Sequence, residues 1–325
     1  VKLSKRIRII VGLDEESGWA CMEHYFKHEE KPIAGFSPDA DFPIINSEKG
    51  ILIFSMEKDF APGGGDGVTV ESIKGGRRPN MVPDYCEAVL KSGDAKALEA
   101  AAQRLTAYAA QNGYNMKAET GAGRVVIKSY GVSAHGSTPE KGQNAIAQVL
   151  GFLNSISLSG EGVREYIRDL AQKIGTETDG KSLGLDLEDE ISGKLVFNLG
   201  QIELDQNHGK VVINIRYPIK YKGEYVLSKL REALEGTGIT IPDDVYDQPP
   251  LYVPEDNFLI QKLKKVYEEV TGQEAELISI GGGTYARAID NAVAFGPLLP
   301  GRPELAHERD EYIDIDDLIT ITKIY

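Results

Sequence analysis

A mostly apolar run that ends in three consecutive acids constrains the fold of this chain more than any other stretch. The run extends from Ile7 to Val11 and is bounded by Gly12, a pattern typical of a buried strand. Residues Asp14 to Glu16 follow, and Ser17 opens a segment with helical spacing. In an open α/β sheet, ligands bind where strands end and helices begin. The stretch therefore predicts an α/β fold with three carboxylates at its binding edge.

Two interpretations of the three acids remain open at this point. Acids favour the positive end of a helix, so Asp14, Glu15 and Glu16 could simply cap the helix that follows. Adjacent glutamates can also divide a catalytic task, with one binding a metal and the other moving a proton. The choice depends on whether the chain supplies further ligands.

Composition excludes several classes of protein. A chain of 325 residues suggests about two domains of ~150 residues each. Its net charge of -14 argues against a nucleic-acid partner, because phosphate binding needs a basic face. We find no apolar run long enough to span a bilayer, and two cysteines, Cys21 and Cys86, do not make a disulfide framework. We therefore expect a cytoplasmic protein with no membrane partner.

The pattern along the chain predicts an insertion. From about Gly67, strands of period-two alternation surround isolated long helices, which resembles a ferredoxin-like α+β layer. After the proline-rich stretch 249–254, the α/β pattern returns. We predict one discontinuous domain, residues 1–49 and 247–325, with an inserted domain of two ferredoxin-like halves at 50–246.

A glycine-rich loop near the C-terminus allows two interpretations. Gly281, Gly283 and Ala286 fit the G-x-G-x-x-A dinucleotide pattern between a strand and a helix. That pattern needs an acid at the end of the next strand, whereas this strand ends in Phe295-Gly296. The glycines can equally hold a carboxylate on free backbone N–H groups.

Five motifs, taken in order, resemble those of a known enzyme family. They are the acids 14–16, PDADFP at 38–43, SAHGS at 133–137, GGGTYAR at 281–287 and the proline-containing loop that reaches His307. Together they look like the co-catalytic zinc peptidases that include aminoacylase, carboxypeptidase G and succinyl-diaminopimelate desuccinylase. The PDADFP and GGGTYAR motifs narrow the resemblance to bacterial dipeptidases of the peptidase V type. It extends from about Arg6 to the C-terminus.

The resemblance implies a role for each motif. Glu15 would be the general base that activates a metal-bound water, and Glu16, Asp39 and His307 would be metal ligands. His135 would reach from the inserted lid domain to polarise the scissile carbonyl. The expected fold is a zinc-peptidase-like α/β catalytic domain, and the expected cofactor is a pair of Zn²⁺ ions, with Mn²⁺ as an alternative.

Substrate contacts are also implied. Asn80 and Arg216 would bind the substrate and its terminal carboxylate, and neither Arg216 nor His135 is expected deep in a core. Gly282, Gly283 and Thr284 would line the substrate site.

One part of the family pattern is absent from the sequence. The family places a metal-binding His and a metal-bridging Asp upstream of the glutamate pair, and this chain opens on Val1, too late to contain them. We expect that a preceding segment carries them, and that the chain alone binds metal weakly and turns over no substrate.

The function predicted is that of a metallodipeptidase acting on dipeptides with a free amino terminus, as a monomer or homodimer. The alternatives are an N-acyl amino acid deacylase or desuccinylase of the same family, and a non-catalytic peptide-binding protein.

Overall fold

The computed structural model describes residues 5–15, 18–61, 67–306 and 309–325. The strands are β1 Gly35–Ser37, β2 Ala40–Asp41, β3 Ile44–Glu48, β4 Gly50–Asp59, β5 Thr69–Gly75, β6 Tyr85–Lys91, β7 Asn115–Gly121, β8 Arg124–Tyr130, β9 Glu188–Asp189, β10 Gly193–Lys194, β11 Val196–Leu204, β12 His208–Tyr217, β13 Tyr246–Gln248, β14 Leu251–Tyr252, β15 Leu277–Ile280, β16 Ala292–Ala294 and β17 Pro297–Leu298. The helices are α1 Ala20–His28, α2 Ala95–Asn112, α3 Ala145–Asn154, α4 Glu161–Lys173, α5 Gly223–Ala233, α6 Phe258–Thr271 and α7 Ile315–Ile324.

The chain folds into two units. The first unit combines residues 1–49 with 250–325, and the second is the continuous segment 50–249. The chain therefore leaves the first unit once and returns to it once, and the second boundary falls three residues after the predicted position.

The first unit is built around a five-stranded mixed sheet. Strand β3 pairs with β15 in parallel and with β14 and β16 in the antiparallel sense, while β1 pairs with β16 in parallel. Helices α6 and α7 contribute buried side chains, including Tyr267 and Ile321, to a core that also contains Ile44 and Phe295. Parallel pairing places the end of β15, where the glycine-rich loop starts, beside the end of β3.

The second unit has one sheet of eight strands, in the order β13-β4-β12-β11-β5-β6-β8-β7. At the junction between β11 and β5, only three residue pairs are in register, from Ile202 with Gly75 to Leu204 with Ile73. The junction separates two groups of four strands. Helices α2 and α3 follow strands of one group, and α5 follows a strand of the other. The hydrophobic core of the second unit includes Phe152, Tyr166 and Phe197.

Capping residues explain where several helices begin. The Asp94 side chain accepts a hydrogen bond from the Lys96 N–H at 2.9 Å and starts α2. The Asn144 side chain accepts from two N–H groups at the start of α3, and the Asn257 side chain caps α6. Each cap satisfies backbone donors that have no partner inside the helix.

The predicted strand at Ile7 to Val11 is wrong. Residues 6–12 form neither a strand nor a helix, and they pair with no strand in the described ranges. Ile7, Ile9, Val11 and Leu13 are exposed, and Leu13 retains 92% of its accessible surface. The apolar alternation fits an extended conformation, but a strand also requires a hydrogen-bonded neighbour.

The two ends of the second unit are neighbours in its sheet. Ile51, near the start of β4, pairs with Gln248 at the end of β13. In the first unit, Glu48 at the end of β3 likewise pairs with Leu251 at the start of β14. The second unit therefore begins and ends at adjacent positions.

Candidate functional site

The acidic segment begins with a helix cap. The Asp14 side chain accepts a hydrogen bond from the Ala20 N–H at 2.7 Å, and its carbonyl accepts from the Trp19 N–H at 3.0 Å. Trp19 itself occupies the N-cap position of α1 and offers no side-chain acceptor. Capping is therefore confirmed for the first of the three acids.

Glu15 lies in the turn before α1. Its carbonyl accepts a hydrogen bond from the Trp19 indole N–H at 2.8 Å, and Trp19 has a left-handed backbone with φ 64°. This bond ties the backbone of Glu15 to the indole, and Glu15 is half-buried. Glu16 lies outside the described residues, so its predicted role as a metal ligand stays a prediction.

Tyr285 joins the glycine-rich loop to the acidic segment. Its hydroxyl accepts a hydrogen bond from the Asp14 N–H at 3.1 Å and lies 3.2 Å from Cys21 Sγ. Its ring packs edge-on against Trp19 with centroids 5.3 Å apart. A Cβ at Gly12 would lie 2.5 Å from the Tyr285 ring, so the close approach requires glycine there. The structure thus brings together the first and fourth sequence motifs.

A buried ion pair anchors the same loop. Glu48 is 0% exposed, and its carboxylate accepts hydrogen bonds from Arg287 Nε at 2.5 Å and from the Thr284 hydroxyl at 2.7 Å. Arg287 also donates to the carbonyls of Lys49 at 2.6 Å and Gly282 at 2.8 Å. The loop is therefore fastened to the end of β3.

Two of these findings change the interpretation of the loop. Thr284, predicted to contact substrate, is buried, and its hydroxyl donates to Glu48. Residues Tyr285–Ala288 form a 3-10 helix rather than the long helix that a dinucleotide site needs. Gly282 and Gly283 are half-buried and stay predicted substrate contacts.

The PDADFP turn lies beside the loop that leads to His307. Burial and the nearby negative charge of Glu304 raise the pKa of Asp41. Asp39 is exposed, and its carboxylate forms no hydrogen bond with the described part of the chain. His307 itself lies outside the described residues.

The described residues do not by themselves form a metal centre. A carboxylate such as that of Asp39 is a ligand type that divalent cations accept. However, residues 5–15, 18–61, 67–306 and 309–325 contain no group of three His, Cys, Asp or Glu side chains that could hold a metal ion. Two of the three predicted ligands, Glu16 and His307, fall outside these ranges.

In the second unit, His135 lies next to Asn80. The Gly136 N–H donates to the Asn80 carbonyl at 2.7 Å, and His135 forms an isolated antiparallel bridge with Met81. A Cβ at Gly136 would lie 2.9 Å from the Asn80 carbonyl oxygen, so glycine allows the close packing. Two predicted site residues are therefore adjacent.

The hydrogen bonds of His135 determine its tautomer. The Ser137 N–H donates to His135 Nδ1 at 3.3 Å, and the Ser137 hydroxyl lies 2.6 Å from the same nitrogen. Because Nδ1 accepts, the neutral ring carries its proton on Nε2. The exposed imidazole can therefore donate a hydrogen bond from Nε2.

Arg216 is buried, contrary to expectation. It is 5% exposed, and it lies within β12 opposite Val196. Its Nε donates to the Asn214 side-chain oxygen at 3.0 Å. The expectation failed because the position of Arg216 near the end of a strand indicated exposure, whereas β12 lies between β4 and β11 inside the sheet.

Sequence reasoning missed four residues that organise these sites: Tyr285, Glu48, Asn198 and Asn214. A signal existed for the two asparagines, since each interrupts a strongly apolar strand, in Val-Phe-Asn-Leu and Val-Ile-Asn-Ile. Polar residues in such strands are hydrogen-bonded when buried. No comparable pattern pointed to the pairing of Glu48 with Arg287, which are 239 residues apart.

Comparisons with known proteins agree on one family. The family model of peptidase family M20/M25/M40 matches residues 1–325. The putative dipeptidase YtjP of Bacillus subtilis (strain 168) is 42% identical over 325 residues, which cover 99% of this chain and 68% of that protein. The putative dipeptidase SH1171 of Staphylococcus haemolyticus is 34% identical over 328 residues, which cover 100% of this chain and 69% of that protein.

A solved structure shares the fold. The aminoacylhistidine dipeptidase of Vibrio alginolyticus matches with a TM-score of 0.50 and 15% sequence identity, over 96% of this chain and 68% of that one. At this level of identity the match supports the mixed α/β fold alone.

Proposed function

This chain belongs to peptidase family M20/M25/M40, and on that premise we propose that it is a metal-dependent dipeptidase. The observation that carries the proposal is the 42% identity, over 99% of the chain, to a putative dipeptidase. Membership of a peptidase family makes the chain a hydrolase. The substrate is proposed to be a dipeptide with a free amino terminus.

The acidic segment would supply the proton-transfer group and metal ligands. We assign Glu15 as the general base and Glu16, Asp39 and His307 as metal ligands. Family membership supports a divalent metal, and we propose Zn²⁺, with Mn²⁺ as the alternative. When bound, such a metal polarises a carbonyl and lowers the pKa of water. The indole bond to the Glu15 carbonyl limits the positions that the Glu15 side chain can reach.

His135 would stabilise the developing oxyanion. The bonds to Nδ1 leave Nε2 as the donor, which suits a hydrogen bond to the scissile carbonyl oxygen. In the full-length enzyme, His135→Ala should lower kcat by roughly 10²–10³, the range for the loss of one oxyanion donor. Unchanged kcat in a folded His135→Ala variant would contradict the assignment.

Asn80 and Arg216 would recognise the substrate carboxylate. A guanidinium is suited to a carboxylate because it can donate two parallel hydrogen bonds. Arg216→Ala should mainly raise KM for substrates with a free carboxylate. Asn80 lies beside His135, which supports a shared substrate site in the second unit.

One substrate comparison tests the proposal. A dipeptide should be hydrolysed by the metal-loaded full-length protein, whereas its N-acetylated analogue should not. Removal of metal with a chelator should abolish hydrolysis, and added Zn²⁺ should restore it. The reverse preference would identify an N-acyl amino acid deacylase, and binding without turnover would identify a peptide-binding protein.

Location in the cell stays a separate proposal. Neither Cys21 nor Cys86 forms a disulfide, which fits a reducing cytoplasm. Within the described ranges, no helix has the length and apolar character needed to cross a membrane.

A further inference from the structure

Two asparagines lie side by side inside the eight-stranded sheet. Asn198 on β11 and Asn214 on β12 are directly paired, so their side chains are on the same face. They are 1% and 0% exposed. Leu199 and Ile213, next to them along the two strands, are also buried, so these polar residues interrupt an apolar region.

Each asparagine forms side-chain hydrogen bonds through only one of its two polar amide atoms. Asn198 Nδ2 donates to the carbonyls of Pro79 at 2.8 Å and Met81 at 3.0 Å. Asn214 Oδ1 accepts from Arg216 Nε at 3.0 Å. These bonds fix the orientation of both amides. Asn198 Oδ1 and Asn214 Nδ2 are buried without a hydrogen-bond partner in the part of the chain that the structure describes.

Packing alone does not account for such a pair. Buried polar atoms without a partner are rare, and each of them calls for an explanation. Two apolar side chains would leave no unpaired amide atom at this point of the sheet. The bonds that the two asparagines do form indicate what they contribute.

The two asparagines hold the two residues that we assign to carboxylate recognition. Asn198 binds the carbonyls on either side of Asn80, which fixes the backbone that carries Asn80. Asn214 binds Arg216 directly. Because Asn198 and Asn214 are cross-strand neighbours, one rigid pair sets the positions of both groups.

We propose that Asn198 and Asn214 are positioning residues that fix Asn80 and Arg216 for recognition of the free carboxylate of the substrate. The inference rests on the proposed function, which assigns that carboxylate to Asn80 and Arg216. It predicts that the asparagine pair determines how strongly the enzyme prefers a free carboxylate over an uncharged end.

The test compares a dipeptide with its C-terminal amide. The readout is the discrimination ratio, defined as kcat/KM for the dipeptide divided by kcat/KM for the dipeptide amide. It is measured on the metal-loaded full-length enzyme. The amount of folded enzyme cancels in this ratio, so a variant that is only partly folded still gives a valid value.

Asn214→Leu and Asn198→Leu should each lower the discrimination ratio by roughly 10- to 100-fold, the range for a small displacement of a positioning group. The effect should come from the dipeptide, while kcat/KM for the amide changes little. Asn214→Ser and Asn198→Ser are milder replacements for use if a leucine variant does not fold.

Gln148→Leu is the matched control. Gln148 is also a buried amide of the second unit, and its side-chain oxygen accepts from the Ser129 hydroxyl at 2.7 Å. The variant loses a buried hydrogen bond and should keep the discrimination ratio of the parent. A lowered ratio in Gln148→Leu would show that the ratio follows packing in general, and would overturn the inference.

Arg216→Lys separates failure of the inference from failure of the proposed function. If Arg216→Lys lowers the ratio and the asparagine variants do not, the positioning inference is wrong and the carboxylate assignment stands. If Arg216→Lys leaves the ratio unchanged, the assignment of Arg216 is wrong and the inference fails with it.

Discussion

At the scale of single residues, Tyr285 links two motifs that are 271 residues apart in sequence. Its hydroxyl accepts the Asp14 N–H and its ring contacts Trp19. Trp19 in turn binds the Glu15 carbonyl. Tyr285 therefore supports the turn that carries the proposed general base without being a candidate for proton transfer itself.

Fluorescence can test this support, because Trp19 is the only tryptophan in the chain. Tyr285→Ala removes the ring beside the indole and should shift the emission maximum to longer wavelength as water reaches Trp19. Tyr285→Phe is the matched control, since it keeps the ring and should keep the emission maximum. Loss of its hydroxyl should lower the free energy of unfolding by about 0.5–1.5 kcal/mol. A parent-like emission maximum in Tyr285→Ala would contradict the contact.

Glu15 and Glu16 should respond differently to the same substitution. A general base need not hold the metal, so Glu15→Gln should keep the metal content while turnover falls roughly 10²–10⁴-fold. Glu16→Gln should lose both, because an amide oxygen is a poorer, uncharged ligand. Metal content and kcat measured on both variants of the full-length protein decide between these assignments. Metal loss in Glu15→Gln alone would exchange the two roles, and full activity in both would end the hydrolase proposal.

Asp189 should contribute to stability above about pH 4 and should lose that contribution in stronger acid. Burial acts to raise the pKa of Asp189, but hydrogen bonds from the Ser192 N–H and hydroxyl and from the Lys220 and Ile191 N–H groups outweigh it and hold the pKa below its usual value. A carboxyl with a lowered folded-state pKa stabilises the fold above its unfolded-state pKa, about 3.9, and loses that effect as pH falls through the folded value.

Asp189→Asn tests the direction of this pH dependence. The variant should unfold at a lower denaturant concentration than the parent at pH 7, and this gap between the two unfolding midpoints should narrow at pH 3. Asp186→Asn, which changes an exposed acid nearby, should show no gap at either pH. A gap for Asp189→Asn that stays constant between pH 7 and pH 3 would contradict the lowered pKa.

At the scale of elements, the ion pair between Glu48 and Arg287 fastens a loop to a strand. Its side chains are 0% and 5% exposed. Arg287→Met should lower the free energy of unfolding by about 3–5 kcal/mol, because it leaves a buried carboxylate without its cation. Combining it with Glu48→Gln should recover part of that loss, as measured by urea unfolding.

A second ion pair in the same unit provides the comparison. Arg302 Nη2 lies 2.6 Å from Asp317 Oδ1, but the Arg302 side chain is 46% exposed. Arg302→Met should therefore lower the free energy of unfolding by less than about 1 kcal/mol. Equal losses in Arg287→Met and Arg302→Met would show that burial does not set the strength of these pairs.

Elements with local signals were predictable from the sequence. Helices α2 and α3 start directly after Asp94 and Asn144, whose side chains cap them, and such a cap acts within a few residues of sequence. Helix α4 carries a local signal too, since Val163, Tyr166, Ile167 and Leu170 follow helical spacing and are buried. The strand expected at 7–11 failed because pairing depends on partners remote in sequence.

The same distinction applies to the candidate site. Motif resemblance singled out Glu15, Asp39 and His135 because their neighbours in sequence are distinctive. It could not single out Asn198, whose importance depends on bonds to carbonyls 117 and 119 residues away. Contacts of that kind become visible only when the topology of the sheet is known.

At the scale of the whole molecule, each unit has its own hydrophobic core. The second unit is also a single continuous segment, residues 50–249. We expect residues 50–249 produced alone to fold, to unfold cooperatively on heating and to hydrolyse no dipeptide. Circular dichroism with a thermal scan measures the first two properties. A broad, non-cooperative thermal transition would show that this unit needs the rest of the chain.

The pairing of Ile51 with Gln248 has a consequence for engineering and for evolution. Because the inserted unit starts and finishes at adjacent strand positions, a gene segment encoding 50–249 can be exchanged as a cassette with only two junctions. The pair of Glu48 and Leu251 would then mark the two junctions on the side of the recipient chain. Chimaeras assembled at these junctions would carry a different second unit while the sequence of the first unit stays unchanged.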